Sequence, residues 1–456
     1  MKTYFEEARE IPVRAEVDVL VVGGGPAGIM AAYAAARKGG RKVMLIESRG
    51  YLGGNLTIGL PILAFLGPKG NQVIRGEAQH FIDRLRERGA ASEHKRCKNH
   101  MSMTIIDSEE AKNVAFEMMD EVGVDVLLYV FNSGAIVRDG KVAGVIIESK
   151  KGREAILAKS VVDCTGDGDI LYRCGAEMLY GNDEGIAQPP TLMFSMRGVD
   201  SRRLRDAVAD HPDIYDIDYI PNEFFRPMDN CTFVGFRNQI RQAREAGYRL
   251  PVERTIFMTG MAEDEWWVNM SRVNGIDATD PEQYTRGEEL CIEQNAEIVR
   301  YLKAYIPGFE NAWLDKVAPF MGVRETRRLV GEYTLTEQDI FDCARFDDAI
   351  AVASYPVDLH HPVGGDCSLW WCPDCYDVPY RCLIPKKVDG VIAAGRDISA
   401  THLALASVRV MGPAMCLGEA AGKAAALAVR DNKELRDLDV TELQSALREE
   451  GVYFRD

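Results

Sequence analysis

VDVLVVGGGPAGIMAAYAAARKGGRKVMLIE, residues 17–47, decides the fold. Val17–Val22 is an apolar run that reads as a buried parallel strand. A glycine turn follows, Gly23-Gly24-Gly25-Pro26-Ala27-Gly28. The alanine-rich stretch to Lys38 reads as a helix, since alanine has the highest helix propensity. Lys42–Ile46 is a second strand, ending in Glu47. Gly23, Gly25 and Gly28 have the G-x-G-x-x-G spacing, in which the glycines serve a tight turn, close approach of a pyrophosphate, and packing of helix on strand. A helix N-terminus presents N–H groups and a positive dipole end to phosphates. Glu47 comes 19 residues after Gly28, where an acidic side chain reaches an adenosine ribose. Strand, turn, helix, strand and terminal acid together define a dinucleotide site.

Downstream, Ser48-Arg49-Gly50-Tyr51-Leu52-Gly53-Gly54-Asn55 is a glycine-bearing loop expected to touch the same ligand. Residues 76–87 read as a helix, with Ala78, Phe81, Ile82 and Leu85 on one face. Asp107 reads as an N-cap for a helix carrying Ala111, Val114, Ala115, Met118, Met119 and Val122 at helical spacing, ended by Gly123. Residues 124–130 form a strand. Three short strands with Asp139-Gly140 and Lys150-Lys151-Gly152 turns make an antiparallel meander. Ser160–Cys164 reads as a separate strand leading into Thr165-Gly166, with Asp167 or Asp169 capping the helix after it. From about residue 185 the character changes: most of the prolines and all 5 tryptophans fall between residues 186 and 380. This reads as a second, mixed domain. The last 70 or so residues return to the first style, with a strand into Gly395-Arg396-Asp397, a small-residue helix over residues 413–429, and a capped helix at the end.

Composition narrows the function classes. A net charge of −16 argues against a nucleic-acid partner, because phosphate binding needs clustered Lys and Arg. No apolar run is long enough for a membrane span. The N-terminus has no apolar signal core, and 11 scattered cysteines read as reduced thiols of a cytoplasmic protein. A small-molecule substrate is the expected partner, and a homo-oligomer is compatible with the sequence.

The segments VVGGGPAGIMAA (21–32), LIESRGYLGGN (45–55), VVDCTGDGD (161–169), GVRETRRLVGEYTLTEQDI (322–340), YDVPYRCLIPK (376–386) and AAGRDISATHLALASVRVMGPAMCLGEAAGKAAAL (393–427) resemble the FAD-dependent oxidoreductase family. That family has the glutathione-reductase type of FAD fold, in the branch related to fumarate reductase flavoproteins. The resemblance implies an α/β fold: a Rossmann-like FAD-binding domain with an antiparallel meander, from residues 1–190 and 381–456, and an inserted α+β substrate domain at 191–380. It implies that Gly23, Gly25, Pro26, Ala27 and Gly28 hold the pyrophosphate and Glu47 the ribose. Ser48, Arg49, Gly53, Gly54 and Asn55 would approach the ribityl chain and flavin, Val130 the adenine, and Thr165 and Gly166 the adenosine side. Gly395, Arg396 and Asp397 would hold the ribityl and phosphate region. Val410 and Met411 would precede a helix aimed at the flavin. Residues 48–70 have no cysteine, unlike disulfide reductases of this fold, and no histidine precedes His80, so the FAD is expected to be noncovalent.

The chemistry implied is hydride transfer between flavin N5 and a small organic substrate, with a flavin monooxygenase or an electron-transfer subunit as alternatives. Candidate catalytic groups are few, since there are only 7 histidines. The resemblance places His402 beside the flavin as a proton carrier, the alternative being a helix contact. His360 and His361 are candidates for the pocket or for loop packing. Arg324, Arg327 and Arg328 would share a face if helical and could clamp a substrate carboxylate, or form salt bridges. Arg381 and Arg409 are second candidates of the same kind. Cys367, Cys372, Cys375 and Cys382 contain one C-x2-C step but lack the second pair of a zinc ribbon. They read as free thiols, with zinc or a redox pair as alternatives, and no metal is assigned.

Overall fold

A computed structural model describes residues 2–217 and 231–455. The opening unit is as read: β1 (Val13–Val22), α1 (Pro26–Ala36) and β2 (Val43–Ile46). The helix α2 (Ser108–Val122) starts at Asp107, whose carboxylate accepts from the backbone N–H groups of Glu109 and Glu110, and ends at Gly123 in the left-handed region. Next come β3 (Asp125–Leu127), β4 (Phe131–Arg138), β5 (Lys141–Ser149) and β6 (Gly152–Asp163). With β7 (Val391–Ala393) beside β6, they form a seven-stranded sheet in the order β3-β2-β1-β6-β5-β4.

The sheet has two characters. β3, β2, β1, β6 and β7 run parallel, whereas β4, β5 and β6 are antiparallel neighbours. One strand, β6, serves both parts, because its 12 residues are long enough to pair with β5 first and β7 later. Residues 160–164 are therefore the end of the meander's third strand rather than a separate strand. The hairpin turn at Asp139-Gly140 has positive φ at both residues, as a type I′ turn requires.

The helix α3 (Met411–Asp431) is buried along nearly its whole length. Gly418 and Gly422 let it lie directly on α1. A Cβ on either would come within 2.0 Å of a backbone carbonyl oxygen, of Ala27 or Ala31 respectively. Only glycine fits at such a separation, so α3 is seated on α1 by backbone contact.

Three apolar cores organise the rest. The first draws on residues 17–171 and 329–452. The second lies within residues 194–312 and is aromatic, with Phe233, Phe236, Phe257, Trp266 and Tyr301 beside a five-stranded antiparallel sheet. The third joins them: Ile58, Leu63, Met103 and Val410 meet Leu192, Met258 and Trp267. Among the described residues, no single helix is long and apolar enough to cross a membrane.

Candidate active site

The parallel strands end at a common edge, the usual position of ligands in open α/β sheets. Val22, Ile46, Cys164 and Ala394, at or just past the ends of β1, β2, β6 and β7, line a cleft of about 340 Å³ there. Three glycines shape its floor differently. Gly23 has φ +100°, and a Cβ there would lie 2.5 Å from the Cys164 carbonyl oxygen. A Cβ on Gly28 would lie 1.8 Å from the Gly23 carbonyl oxygen. A Cβ on Gly25 would meet nothing within 4 Å, because that position faces the open cleft. Gly25 also begins α1 with no side-chain cap, so the amide end of the helix is left to a ligand.

Glu47 braces this turn. Its buried carboxylate accepts from Gly24 N–H at 2.7 Å, Arg49 N–H at 2.9 Å and the Ser48 hydroxyl at 3.0 Å. Gly53 N–H donates to the Gly24 carbonyl at 2.8 Å, and this holds the 48–55 loop against the glycine turn. Arg49, Gly54 and Asn55 line the cleft, as do Pro26, Ala27, Val130, Thr165, Gly166, Gly395, Arg396 and Met411. Gly28, Gly53, Asp397 and Val410 support this wall without lining it. Val130 already donates its N–H to the Glu47 carbonyl.

Two side chains in and behind the wall have buried polar atoms without partners. Arg396 donates from Nη2 to Asp167 Oδ1 at 2.6 Å, while its buried Nη1 has none. Asp397 is fully buried, and neither carboxylate oxygen has a partner. Burial and the neighbouring Asp163 push its carboxyl well above the usual range. Asp163, not Asp167 or Asp169, caps the helix Asp169–Arg173: its Oδ2 accepts from Ile170 and Leu171 N–H at 2.8 and 3.0 Å. The N-cap residue itself is Gly168, which has no side chain to offer.

The other end of the cleft is lined by Arg409, Tyr284, Phe320, Met321 and Val323, with the Arg49 guanidinium 3.8 Å above the Phe320 ring. Tyr284 lies on the helix Pro281–Tyr305. Neither Tyr284 nor Phe320 carried a sequence signal, because their position depends on how the second core docks on the first. Burial pushes the Tyr284 hydroxyl up to about 12, and it donates to the Met321 carbonyl at 3.3 Å.

Behind Arg409 lies a dense cationic group. Arg324 is not on a helix with Arg327 and Arg328; Arg327–Leu329 is a strand, so those two side chains diverge. Arg327 pairs with Asp169 at 2.5 Å, and Arg328 pairs with Glu325. Arg328 and Arg324 are both buried, but only Arg324 joins the group behind Arg409. Arg324 donates to the Pro189 carbonyl at 2.6 Å, Thr191 Oγ1 at 2.8 Å and Asn269 Oδ1 at 3.3 Å. Arg272 donates to the Asp366 carbonyl at 2.8 Å and to His360 Nδ1 at 2.9 Å. Arg409 reaches the Asp358 carbonyl at 3.3 Å, and its buried Nε has no partner. Burial, with Arg409 and Arg272 nearby, pushes Arg324 down to about 9. Burial and Arg324 push His360 down to about 3, so its imidazole is neutral. Burial opposes ionisation of Asp358, but a hydrogen bond from His360 and the charges of Arg409 and His100 hold its carboxyl below the usual range.

The remaining candidates lie elsewhere. His402 does not line the cleft. It begins the helix His402–Val408, with Nδ1 2.8 Å from Glu325, and burial and Arg328 push it down to about 4. His361 meets Ser368 Oγ at 2.8 Å. Arg381 is half-exposed and paired with Asp348 at 2.9 Å. The four clustered cysteines do not converge: Cys372 donates to the Ser354 carbonyl, while Cys382 is buried in the first core near Asp348 and Asp339. All four are free thiols.

A model of the family described as FAD dependent oxidoreductase matches residues 18–447, and the chain belongs to that family. The protein is thus a flavin enzyme with FAD as its cofactor, and the Rossmann-like α/β reading holds. A thiamine thiazole synthase of Aeropyrum pernix is 32% identical over 171 residues, covering 35% of this chain and 58% of that protein. One of Desulfosudis oleivorans is 26% identical over 213 residues, covering 44% and 76%. The chain thus spans little more than half the length of the first of these relatives. Among solved structures, a geranylgeranyl bacteriochlorophyll reductase-like protein of Thermoplasma acidophilum has a TM-score of 0.48 at 14% identity, covering 95% of this chain and 84% of that one.

Proposed function

We propose that the protein oxidises or reduces a small carboxylate-bearing molecule by hydride exchange with FAD, with Arg409 holding the substrate's anionic group. The residues of the cleft suit the cofactor. Gly25 leaves room where a pyrophosphate would pass, and the uncapped start of α1 and the unpartnered Nη1 of Arg396 offer donors to it. Glu47 would take the adenosine ribose, Val130 the adenine, and Thr165-Gly166 the adenosine side. Arg49, Gly53, Gly54, Asn55 and the Gly395-Arg396-Asp397 turn would hold the ribityl and flavin portion, with the Met411 end of α3 beside it. Bound FAD supplies the two-electron chemistry.

The reading of the substrate rests on one observation. Two buried guanidiniums, Arg272 and Arg324, and the partly buried Arg409 share the field of one partly buried carboxylate, Asp358, with Asp366 and Glu253 also acting on Arg272. Uncompensated buried charge is costly, and an incoming anion relieves it. Arg272 and Arg324 are tied to backbone carbonyls and side chains, so they act as a fixed positive field. Arg409 is the member that faces the cleft and still has an unused donor. The neutral His360 orients Arg272 rather than carrying a proton. The third core would cover the substrate, with Tyr284 and Phe320, which pack against it, excluding water.

Anaerobic mixing of the holoenzyme with small carboxylic acids and their amides tests this. An acid that bleaches the flavin absorbance while its amide does not supports the reading. Arg409→Met should retain FAD and lose that reduction. Equal bleaching by neutral analogues, or an unaffected Arg409→Met enzyme, overturns it.

A further inference from the structure

The hairpin between the strands Lys95–Cys97 and Met101–Thr104 carries a second chemical feature. Its turn is forced: Met101 has φ +61°, a left-handed backbone that a long side chain adopts only under constraint. The result brings His100 back onto the strand it follows, with Nδ1 3.7 Å from Cys97 Sγ. The imidazole lies parallel to the Tyr355 ring, centroids 6.0 Å apart, and the Tyr355 hydroxyl donates to Asp358 Oδ2 at 3.0 Å. The backbone N–H groups of Asn99 and His100 also point at the sulfur.

The charges around the pair favour one state. Asp358 and Tyr355 face His100 from the segment 355–358, Arg409 stands behind Asp358, and Lys98 is in the turn itself. Burial opposes it, but His100 and the two amides hold the Cys97 thiol below its ordinary range. Burial likewise opposes it, but Cys97 and Asp358 raise His100. The other cysteines show the contrast: burial pushes Cys164, Cys291, Cys372, Cys375, Cys382 and Cys416 up. Cys97 is also only half-buried, whereas those six are buried.

We propose that Cys97 and His100 form a nucleophilic thiolate–imidazolium site that reacts with small soft electrophiles, of which hydrogen peroxide is the simplest. The sulfur attacks one peroxide oxygen, an S–O bond forms and the O–O bond breaks. Cys97 is oxidised by two electrons to the sulfenic acid. The departing hydroxide takes the His100 proton and leaves as water, so His100 ends neutral. The step uses no FAD and, although Asp358 is shared with the Arg409 group, it needs no bound substrate, so its test is separate from that of the reading above.

The test is alkylation of the folded holoenzyme by iodoacetamide, followed residue by residue by mass spectrometry across pH, with peroxide oxidation trapped by dimedone in parallel. Cys97 should react at a rate that is nearly flat through neutral pH and about tenfold above that of a thiol of ordinary pKa near 8.5 at pH 7. Peroxide should leave the dimedone adduct on Cys97. His100→Gln should cut the neutral rate by about tenfold and restore a rate that climbs with pH. A Cys97 rate in the wild type that rises steeply from pH 7 to 8, or dimedone labelling first at another cysteine, overturns the proposal. So does a His100→Gln profile matching wild type.

Discussion

The two ends of the cleft are built in opposite ways. The glycine-turn end comes from one continuous stretch and works through backbone: a glycine with open space before it, an uncapped helix start, and Glu47 bracing amides two and 23 residues away. The Arg409 end is assembled from distant segments and works through side chains, with Arg324 fixed to a carbonyl 135 positions away. A backbone site is specified by where side chains are absent. A cationic site is specified by which charges are left over after all the partners are counted.

The largest expected effect tests the backbone end. Gly28→Ala places a methyl 1.8 Å from a carbonyl oxygen that cannot move without breaking the turn. Overpacking of this kind costs about 3 kcal/mol or more, and the variant should purify without flavin or not fold. Gly25→Ala, three residues earlier in the same turn, should fold normally, because its methyl enters open space. Its FAD affinity should drop about tenfold, or 1.4 kcal/mol, measured by flavin fluorescence titration. If both variants behave alike, the contrast within the glycine turn is wrong.

At the side-chain end, Glu325 is the stringent test. Its buried carboxylate serves Arg328, His402 and the Gln188 N–H. Glu325→Gln leaves the buried Arg328 without a counter-charge, only the Gly181 carbonyl accepting from it, which should cost about 3–5 kcal/mol in chemical denaturation. A change below about 1 kcal/mol would mean that this network is not a scaffold for the cationic end.

The smallest effect should come from Asp397. Its pKa is raised in the folded state, so the fold binds its proton more tightly than the unfolded chain does. Stability from this group is then present below the unfolded carboxyl value of about 3.9 and is lost as pH rises through the folded value. Asp397→Asn removes that dependence. Relative to wild type it should gain stability between about pH 5 and 8, read as denaturation midpoints at the two values. A constant difference across that range would contradict the raised pKa.

This contrast also explains what the sequence disclosed. The strand–turn–helix unit, the Asp139-Gly140 hairpin and the Asp107 cap are local, so spacing and residue type were enough to read them. FAD followed because the segments that resemble the family's are each short and self-contained. Arg324, Arg327 and Arg328 were misread as one helical face, because periodicity in a short polar run does not distinguish a helix from an irregular strand. Arg272, Tyr284 and Phe320 were missed because no neighbour in sequence marks them; docking of the second core puts them in place. The capping of the helix at 169 was misassigned by proximity, when a carboxylate six residues upstream at Asp163 reaches its amides.

The contact of α3 with α1 constrains how the molecule is made. Ala27 and Ala31 have their carbonyls against Gly418 and Gly422, nearly 400 residues later in the chain. One face of α1 therefore stays uncovered until a segment nearly 400 residues further along the chain has been added. A chain halted before residue 411 leaves an apolar alanine face in solvent rather than a smaller working flavoprotein.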